Sequence, residues 1–409
     1  MTTSKPAFLG AQPVFERAIE WTTLWPPVDD STADRLKELY FSRRWSSFDE
    51  TEPAFDSAFA RLHTSRHGVF MVNGTVTLEC ALAAYGIGAG DEVIVPPLTW
   101  YATAMAPHYL GARPVFVDIQ RDTLCIDPVK IESAITDRTR AIIPVHVFGS
   151  AADMDRIMLI AKKHGLKVIE DCAHVHGSLW NDQGIGSIGD VGSFSFQQSK
   201  TMASGEGGIC ITNDDEIADR LYRMKHIGYG AGERQGKAQS GPPTGLVCHN
   251  YRATAFQALI LHEQLKTLED RLDRYRTAVD YLEKRLTQTT KIRFQRRPHQ
   301  VKRQGYYLWV MIFDDPSFAD IPLATLEKAF SAEGLQLSRT WDPLYRFILF
   351  NLKPDAFHTH PCAVTESVAS RILALHHSLL GLEMPVLEKI ADAIERVVTH
   401  IDELRRVAA

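Results

Sequence analysis

The 409-residue chain is 45% hydrophobic and 23% charged, an ordinary balance for a folded protein in water. Its length exceeds the roughly 250–300 residues at which a single core stops growing, so two subdomains are expected. The net charge of −5, with no long basic run, argues against the positive patch that non-specific nucleic-acid binding needs. No apolar stretch reaches the ~18 residues of a membrane span.

In chain order, the opening MTTSKPAFLGAQPVFERAIEW lacks the continuous apolar stretch of a signal peptide, so a cytoplasmic protein is expected. Residues 1–65 are expected to pack on the core as a segment. From about residue 66 strand-like and helix-like stretches alternate. HGVFMV (67–72) is a short apolar run, and after Asn73-Gly74-Thr75 the stretch VTLECALAAYGIG has a helical pattern ending in glycine. DEVIVPP (91–97) predicts a strand stopped by prolines, TWYATAMAPHYLGA a helix, RPVFVDI (113–119) a strand and DPVKIESAI a capped helix. TRAIIPVHVFG (139–149) predicts a fourth strand, and residues 150–165 a helix from Ser150 as N-cap to Gly165 as C-cap. LKVIED (166–171), VGSFSF and GICITN add three strands. Continuous apolar runs between helices predict an α/β fold, with a mainly parallel sheet buried on both faces.

The region 214–226 is predicted helical. Residues 227–249, rich in Gly, Pro and polar types, predict a long functional loop. A single long helix is expected over about 251–288. It leads to a smaller α+β C-terminal domain with strand-like YYLWVMIF (306–313), helix-like ATLEKAFSAEG and a final helix, PVLEKIADAIERVVTHIDELRR. The domain boundaries expected are 66–265 for the large unit and 266–409 for the small one. No internal repeat or low-complexity segment is found.

Several motifs bear on chemistry. The six cysteines are scattered without a CxxC pair, which predicts free thiols in a reducing compartment. Gly184-Ile185-Gly186-Ser187-Ile188-Gly189 fits GxGxxG, but a turn precedes it and a strand follows. The dinucleotide fingerprint requires a strand before and a helix after, so a plain glycine-rich connection is expected. His174-Val175-His176 suggests a metal site, yet no third ligand cluster accompanies the pair, and no metal is expected. Asp171 ends a buried strand, where ligands of open α/β sheets bind. It is either a satisfied turn-former or a site residue. Asn73-Gly74-Thr75, at a strand-to-helix junction, is either a simple N-cap or an anion site.

The combination goes further. An anion-ready helix start (Gly74, Thr75), an aromatic in a strand-end loop (Trp100), a strand-end carboxylate (Asp171) and a lysine after a further strand (Lys200) match four features of one group. These are a phosphate, a flat ring, a protonated ring nitrogen and an aldehyde, and pyridoxal phosphate carries all four.

These stretches also resemble the DegT/StrS family of aminotransferases, with the aspartate-aminotransferase-like fold (fold type I). NGTVTLECAL (73–82), GAGDEVIVPPLTWYATA (88–104), PVFVDIQRDTLCIDP (114–128), AITDRTRAIIPVHVFGSAADMD (134–155), EDCAHVHGS (170–178), GSFSFQQSKTMASGEGG (192–208) and HNYRATAFQALIL (249–261) carry the resemblance. It implies a pyridoxal 5'-phosphate enzyme, with pyridoxamine phosphate formed between two half-reactions. It implies that Lys200 forms a Schiff base with the cofactor and that Asp171 pairs with the pyridine nitrogen. Trp100 and Ala173 take the two ring faces, and His174 reaches the phenolic oxygen. Gly74, Thr75 and Ser195 hold the phosphate. Asn250 reaches the phosphate in the neighbouring subunit, which implies a homodimer with shared active sites. His176, Arg252 and the 227–249 loop are the substrate-contact candidates.

EDCAHVHG, FQQSK and CAVTESVASRILALHHSLLG resemble the cyclitol branch of the family. They imply amino transfer from glutamine or glutamate to a scyllo-inosose-like keto-cyclitol, in aminoglycoside-type biosynthesis. A nucleotide-linked keto sugar as acceptor, or a lyase or dehydratase of the same fold, are the alternatives. Three segments depart from the family pattern or match none: WSSFDETEPAF (45–55), 227–249 and LSRTWDPLYRF (337–347). They are the expected contacts of the acceptor.

Overall fold

The continuous apolar runs become strands whose side chains are buried on both faces. The computed structural model describes residues 4–46, 50–233 and 236–408. Seven strands in chain order build most of one sheet: β1 (His67–Met71), β2 (Glu92–Val95), β3 (Arg113–Phe116), β4 (Thr139–Ile142), β5 (Lys167–Asp171), β6 (Val191–Ser195) and β7 (Gly208–Thr212). Their order is β1-β7-β6-β5-β4-β2-β3, and the short strand His358–Thr359 extends the β3 edge. β7 runs antiparallel to both its neighbours, while the pairs from β6 to β3 are parallel. β2, β7 and most of β5 are fully buried, as expected of strands covered by helices on both sides.

One face of the sheet packs on a large apolar cluster that runs from Phe55 and Phe59 through Phe194 and Phe196 into the C-terminal region. The other face packs on the helix Gly74–Ala84 and the helix Asp215–Lys225. A second sheet, of Arg293–Phe294, Leu308–Ile312, Ser338–Arg339 and Ile372–His376, carries the C-terminal part. Among the described residues no helix is long and apolar enough to cross a membrane. All six cysteines are free thiols, five of them buried.

Four expected elements differ in extent. The strand expected over 139–149 stops at Ile142, because Pro144 removes a ladder donor and Val147–Gly149 turn as a 3-10 helix. The helix expected from Ser150 begins at Met154. Asp153 caps it by accepting the Arg156 N–H, while the Ser150 hydroxyl donates to the Arg296 carbonyl; Gly165 closes it in the left-handed conformation as expected. The single helix expected over 251–288 is two, Ala255–Leu265 and Leu268–Thr289. The first packs on Thr51–Leu62 and the second on Met384–Thr399, so the chain turns at Lys266-Thr267 to bury both apolar faces. The final helix likewise breaks at His400 into Met384–Thr399 and Ile401–Ala408, with Leu404 buried.

The GxGxxG stretch has a structural job. The N–H groups of Gly186, Ile188 and Gly189 donate to the Glu170 carboxylate at 2.9, 2.9 and 2.6 Å. Its glycine-rich backbone therefore cradles an anion, and that anion is the protein's own side chain. Gly186 sits at φ +101°, and a Cβ there would meet the Phe194 ring at 2.8 Å. Glu170 also accepts from His146, whose Nδ1 accepts the Ala152 N–H. His146, Glu170 and Cys172 thus lie close enough to suggest a metal cluster, but the imidazole and carboxylate are already committed to these hydrogen bonds.

Candidate active site

Parallel strands deliver their C-terminal ends to one edge of the sheet, and the site stands on that edge. A cavity of about 560 Å³ is lined there by Gly74 and Thr75, Trp100, Thr103, Asp171, Ala173 and His174, Ser195, Lys200, and by Tyr307 and Trp341 from the C-terminal part. Residues far apart in the chain meet because β1, β2, β5 and β6 all end at this edge.

The helix Gly74–Ala84 begins at the cavity wall. Asn73 caps it, accepting the Val76 N–H at 2.9 Å. Gly74 and Thr75 therefore offer the free N–H groups and partial positive charge of a helix start. Gly74 is required by close approach: a Cβ at this position would stand 2.6 Å from the Ser195 Cβ. The helix start and Ser195 at the end of β6 form one compact corner.

Asp171 is 7% exposed. Its carboxylate accepts the Thr103 hydroxyl at 2.8 Å and the Ala173 N–H at 3.3 Å. Thr103 in turn shares a 2.8 Å hydrogen bond with Thr99. Burial pushes the Asp171 carboxyl above its ordinary value, against those hydrogen bonds and the charge of Lys200. A cationic partner brought into the cavity would favour the ionised form.

His174 is buried and its Nδ1 accepts the Phe148 N–H at 3.1 Å, so its proton sits on Nε2 in the neutral ring. Burial, with the charge of Lys200, holds it well below the usual imidazole value. It stacks on Tyr307 (4.1 Å, 12°), and Trp341 continues the stack at 5.8 Å. Lys200 Nζ lies 4.0 Å from the centre of the Tyr307 ring. Trp100 remains 41% exposed, the largest open aromatic face at the cavity.

Three expected site residues lie elsewhere. The strand ends at Asp171, and the residues beyond it form turns, so His174 and His176 do not share a strand face. His174 lines the cavity. His176 is fully buried behind β6, where its Nε2 donates to the Ser195 carbonyl at 2.9 Å and its ring packs on Phe194 and Phe196. Burial holds it down at about 3, so it stays neutral. It supports the Gly74–Ser195 corner from behind and does not line the cavity. Asn250 is exposed and Arg252 lies beside His226, at 3.4 Å; neither lines this chain's cavity.

Thr99, Thr103 and Tyr307 line the cavity without having been expected there. The four-residue spacing of the threonines was the available signal for the first two; nothing marked Tyr307. Trp341 belongs to LSRTWDPLYRF, one of the three segments expected at the acceptor, and it does reach the cavity. The described part of 227–249 does not, and residues 47–49 and 234–235 lie outside the described residues.

Comparison with known proteins places the chain. Over 93% of its length it is 33% identical to an L-glutamine:2-deoxy-scyllo-inosose aminotransferase from Streptoalloteichus tenebrarius, of which it covers 95%. Among solved structures it is similar to 3-amino-5-hydroxybenzoic acid synthase, with a TM-score of 0.85 and 26% identity over 95% of this chain and all of that one. S. venezuelae DesV in complex with a ketimine intermediate aligns with a TM-score of 0.78 and 27% identity, over 90% of this chain and 94% of that one. Residues 27–395 match the DegT/DnrJ/EryC1/StrS aminotransferase family, and the chain belongs to that family as an aminotransferase.

Proposed function

We propose that the cavity holds pyridoxal phosphate on Lys200 and that the protein moves an amino group from glutamine to the ketone of a scyllo-inosose-like cyclitol. The observation that carries this is convergence. A lysine, a buried carboxylate, a helix start with a serine, and an open tryptophan meet in one cavity. Each answers one feature of that cofactor. The fit is physical: the Gly74–Ser195 corner has no room for a Cβ at position 74 and suits a close-lying phosphate, and Asp171 is a buried carboxylate that makes no ion pair among the described residues.

Bound there, the cofactor would supply an electron sink for the pair left when a C–H bond next to nitrogen breaks. The chain's residues supply the rest. Gly74, Thr75 and Ser195 would bind the phosphate, and Trp100 and Ala173 would hold the ring between them. Asp171 would keep the ring nitrogen protonated, its other contacts fixing the carboxylate by way of Thr103. His174, donating from Nε2, would meet the phenolic oxygen. Lys200 Nζ would take the proton from carbon and return it one position away, as a general base and then acid. Asn250 and Arg252, which lie off this cavity, are assigned to the cavity of a second copy in a homodimer.

The acceptor follows from the curated relatives and from charge. Among the described residues that line the cavity, Lys200 is the only lysine or arginine. A nucleotide-linked sugar would bring a diphosphate that this chain's own cavity wall offers no arginine to pair, whereas a neutral cyclitol needs only hydroxyl partners and apolar walls such as Trp341. The test is an assay with purified, cofactor-loaded protein, glutamine, and a panel of keto-cyclitols and nucleotide-linked keto sugars. The expected result is one aminocyclitol formed per keto acid released from glutamine. Keto acid from no donor would overturn the aminotransferase role of the site. Turnover with nucleotide-linked sugars alone would overturn the cyclitol assignment.

A further inference from the structure

Two adjacent histidines far from Lys200 in sequence grip the peptide that carries it. His376 Nε2 and His377 Nε2 lie 3.0 and 3.2 Å from the same atom, the carbonyl oxygen of Ser199. The tautomers are fixed from the other side of each ring. The Ser378 N–H donates to His376 Nδ1 at 3.3 Å, and the Tyr275 hydroxyl lies 3.2 Å from His377 Nδ1. A nitrogen that accepts leaves its partner nitrogen as the donor, so His376 Nε2–H and His377 Nε2–H fill both lone pairs of the Ser199 carbonyl. Burial keeps both rings neutral, holding His376 at about 4 and His377 well below the usual imidazole value.

The grip is braced. Trp21 stacks on His376 at 4.3 Å and 22°, and Trp25 meets His377 edge-on at 4.6 Å. The guanidinium of Arg271 lies over Trp25 and donates to the Thr201 carbonyl at 3.0 Å. The carbonyls of Ser199 and Thr201, the residues on either side of Lys200, are therefore both held, from the N-terminal segment, the helix Leu268–Thr289 and the C-terminal part. That part also supplies the ring beneath the amine. His376 pairs with Leu308, the neighbour of Tyr307, and the Tyr307 hydroxyl lies 3.1 Å from the Ser199 hydroxyl. A buried carbonyl needs only one donor to be satisfied. Two buried imidazoles on one carbonyl define its direction as well.

We propose that His376 and His377 are positioning residues for Lys200. By fixing the Ser199–Lys200 peptide they hold the lysine amine on the cavity side, over Tyr307, and they tie its pose to the N-terminal and C-terminal segments. This rests on Lys200 being the residue that carries the cofactor.

The test uses His376→Ala/His377→Ala together, and His376→Gln/His377→Gln, whose side-chain amide restores an N–H donor. For the alanine pair the expected result is a kcat lower by about 10–100-fold with the glutamine KM within about twofold, as misplacement of a reacting group gives. The pH midpoint of the bound cofactor's visible band should move. Amide hydrogen exchange across 198–202 in cofactor-free protein should be faster. The glutamine pair should return all three toward wild type. Should the alanine pair fail to fold, Trp21→Ala keeps both imidazoles and removes the brace, and a smaller shift of the same band is expected. Unchanged kcat, band midpoint and exchange in a folded alanine pair, or an unchanged band in Trp21→Ala, would overturn the proposal. Lys200→Ala separates the two ideas. If it keeps the band, the role of Lys200 fails; if it loses the band while the histidine variants leave it unmoved, only the positioning role fails.

Discussion

The corner of the cavity assigned to the cofactor stands on the ends of β5 and β6 and on the first turn of the helix Gly74–Ala84, all parts of one buried sheet and its cover. The wall assigned to the acceptor is made of Tyr307, just before the strand Leu308–Ile312, and Trp341, in an irregular stretch after Ser338–Arg339. Regular elements at strand ends hold their side chains in poses that many other contacts determine. Irregular segments are held by few contacts and can differ between relatives without disturbing the sheet. The difference means that a change in the acceptor wall disturbs the sheet less than a change in the cofactor corner.

Breaking the cofactor corner should cost most. Asp171→Ala is expected to lower turnover by roughly 10³-fold while cofactor still binds, measured as single-turnover rates of the glutamine half-reaction. Near-wild-type rates would remove Asp171 from the chemistry.

Acid should attack the same half next. His63 and His176, both held at about 3, pack on Phe194 behind β6, and His376, held at about 4, packs behind the Ser199–Lys200 peptide, against an ordinary value of 6.5. Below 6.5 the unfolded chain gains protons that the folded chain refuses. Their contribution is thus whole above pH 6.5 and is lost as pH falls toward 3–4, by about 1.4 kcal/mol per pH unit for each. Denaturation midpoints should fall steeply between pH 6.5 and 5. His63→Gln should flatten the fall, and a midpoint independent of pH in wild type would contradict the assignment of neutral buried rings.

The smallest effect belongs to the acceptor wall. Trp341→Ala should raise the acceptor KM by about tenfold, the worth of one lost aromatic contact, and leave the glutamine half-reaction within about twofold. Equal losses in both half-reactions would mean that Trp341 serves the cofactor through His174.

The same contrast governs what could be read from residues alone. The strands, the helix start at Asn73-Gly74-Thr75, and the placement of Asp171 and Lys200 at one sheet edge follow from local patterns, because a parallel sheet fixes where strand ends go. Packing decided the rest. His176 looked like a neighbour of His174, but the chain turns after Asp171 and sends it behind Ser195. The long helix over 251–288 breaks because its two halves bury against different partners. Tyr307 and Trp341 join the cavity only through the docking of the second sheet, which no local pattern encodes.

Everything assigned to the cavity depends on Lys200 Nζ being the atom that would carry the cofactor. Cofactor-loaded protein reduced with borohydride, digested and examined by mass spectrometry tests it directly. The expected result is a pyridoxyl-phosphate mass increment on the peptide containing Lys200 and on no other lysine. An increment on a different lysine, or none on a protein that still turns over glutamine, would contradict it.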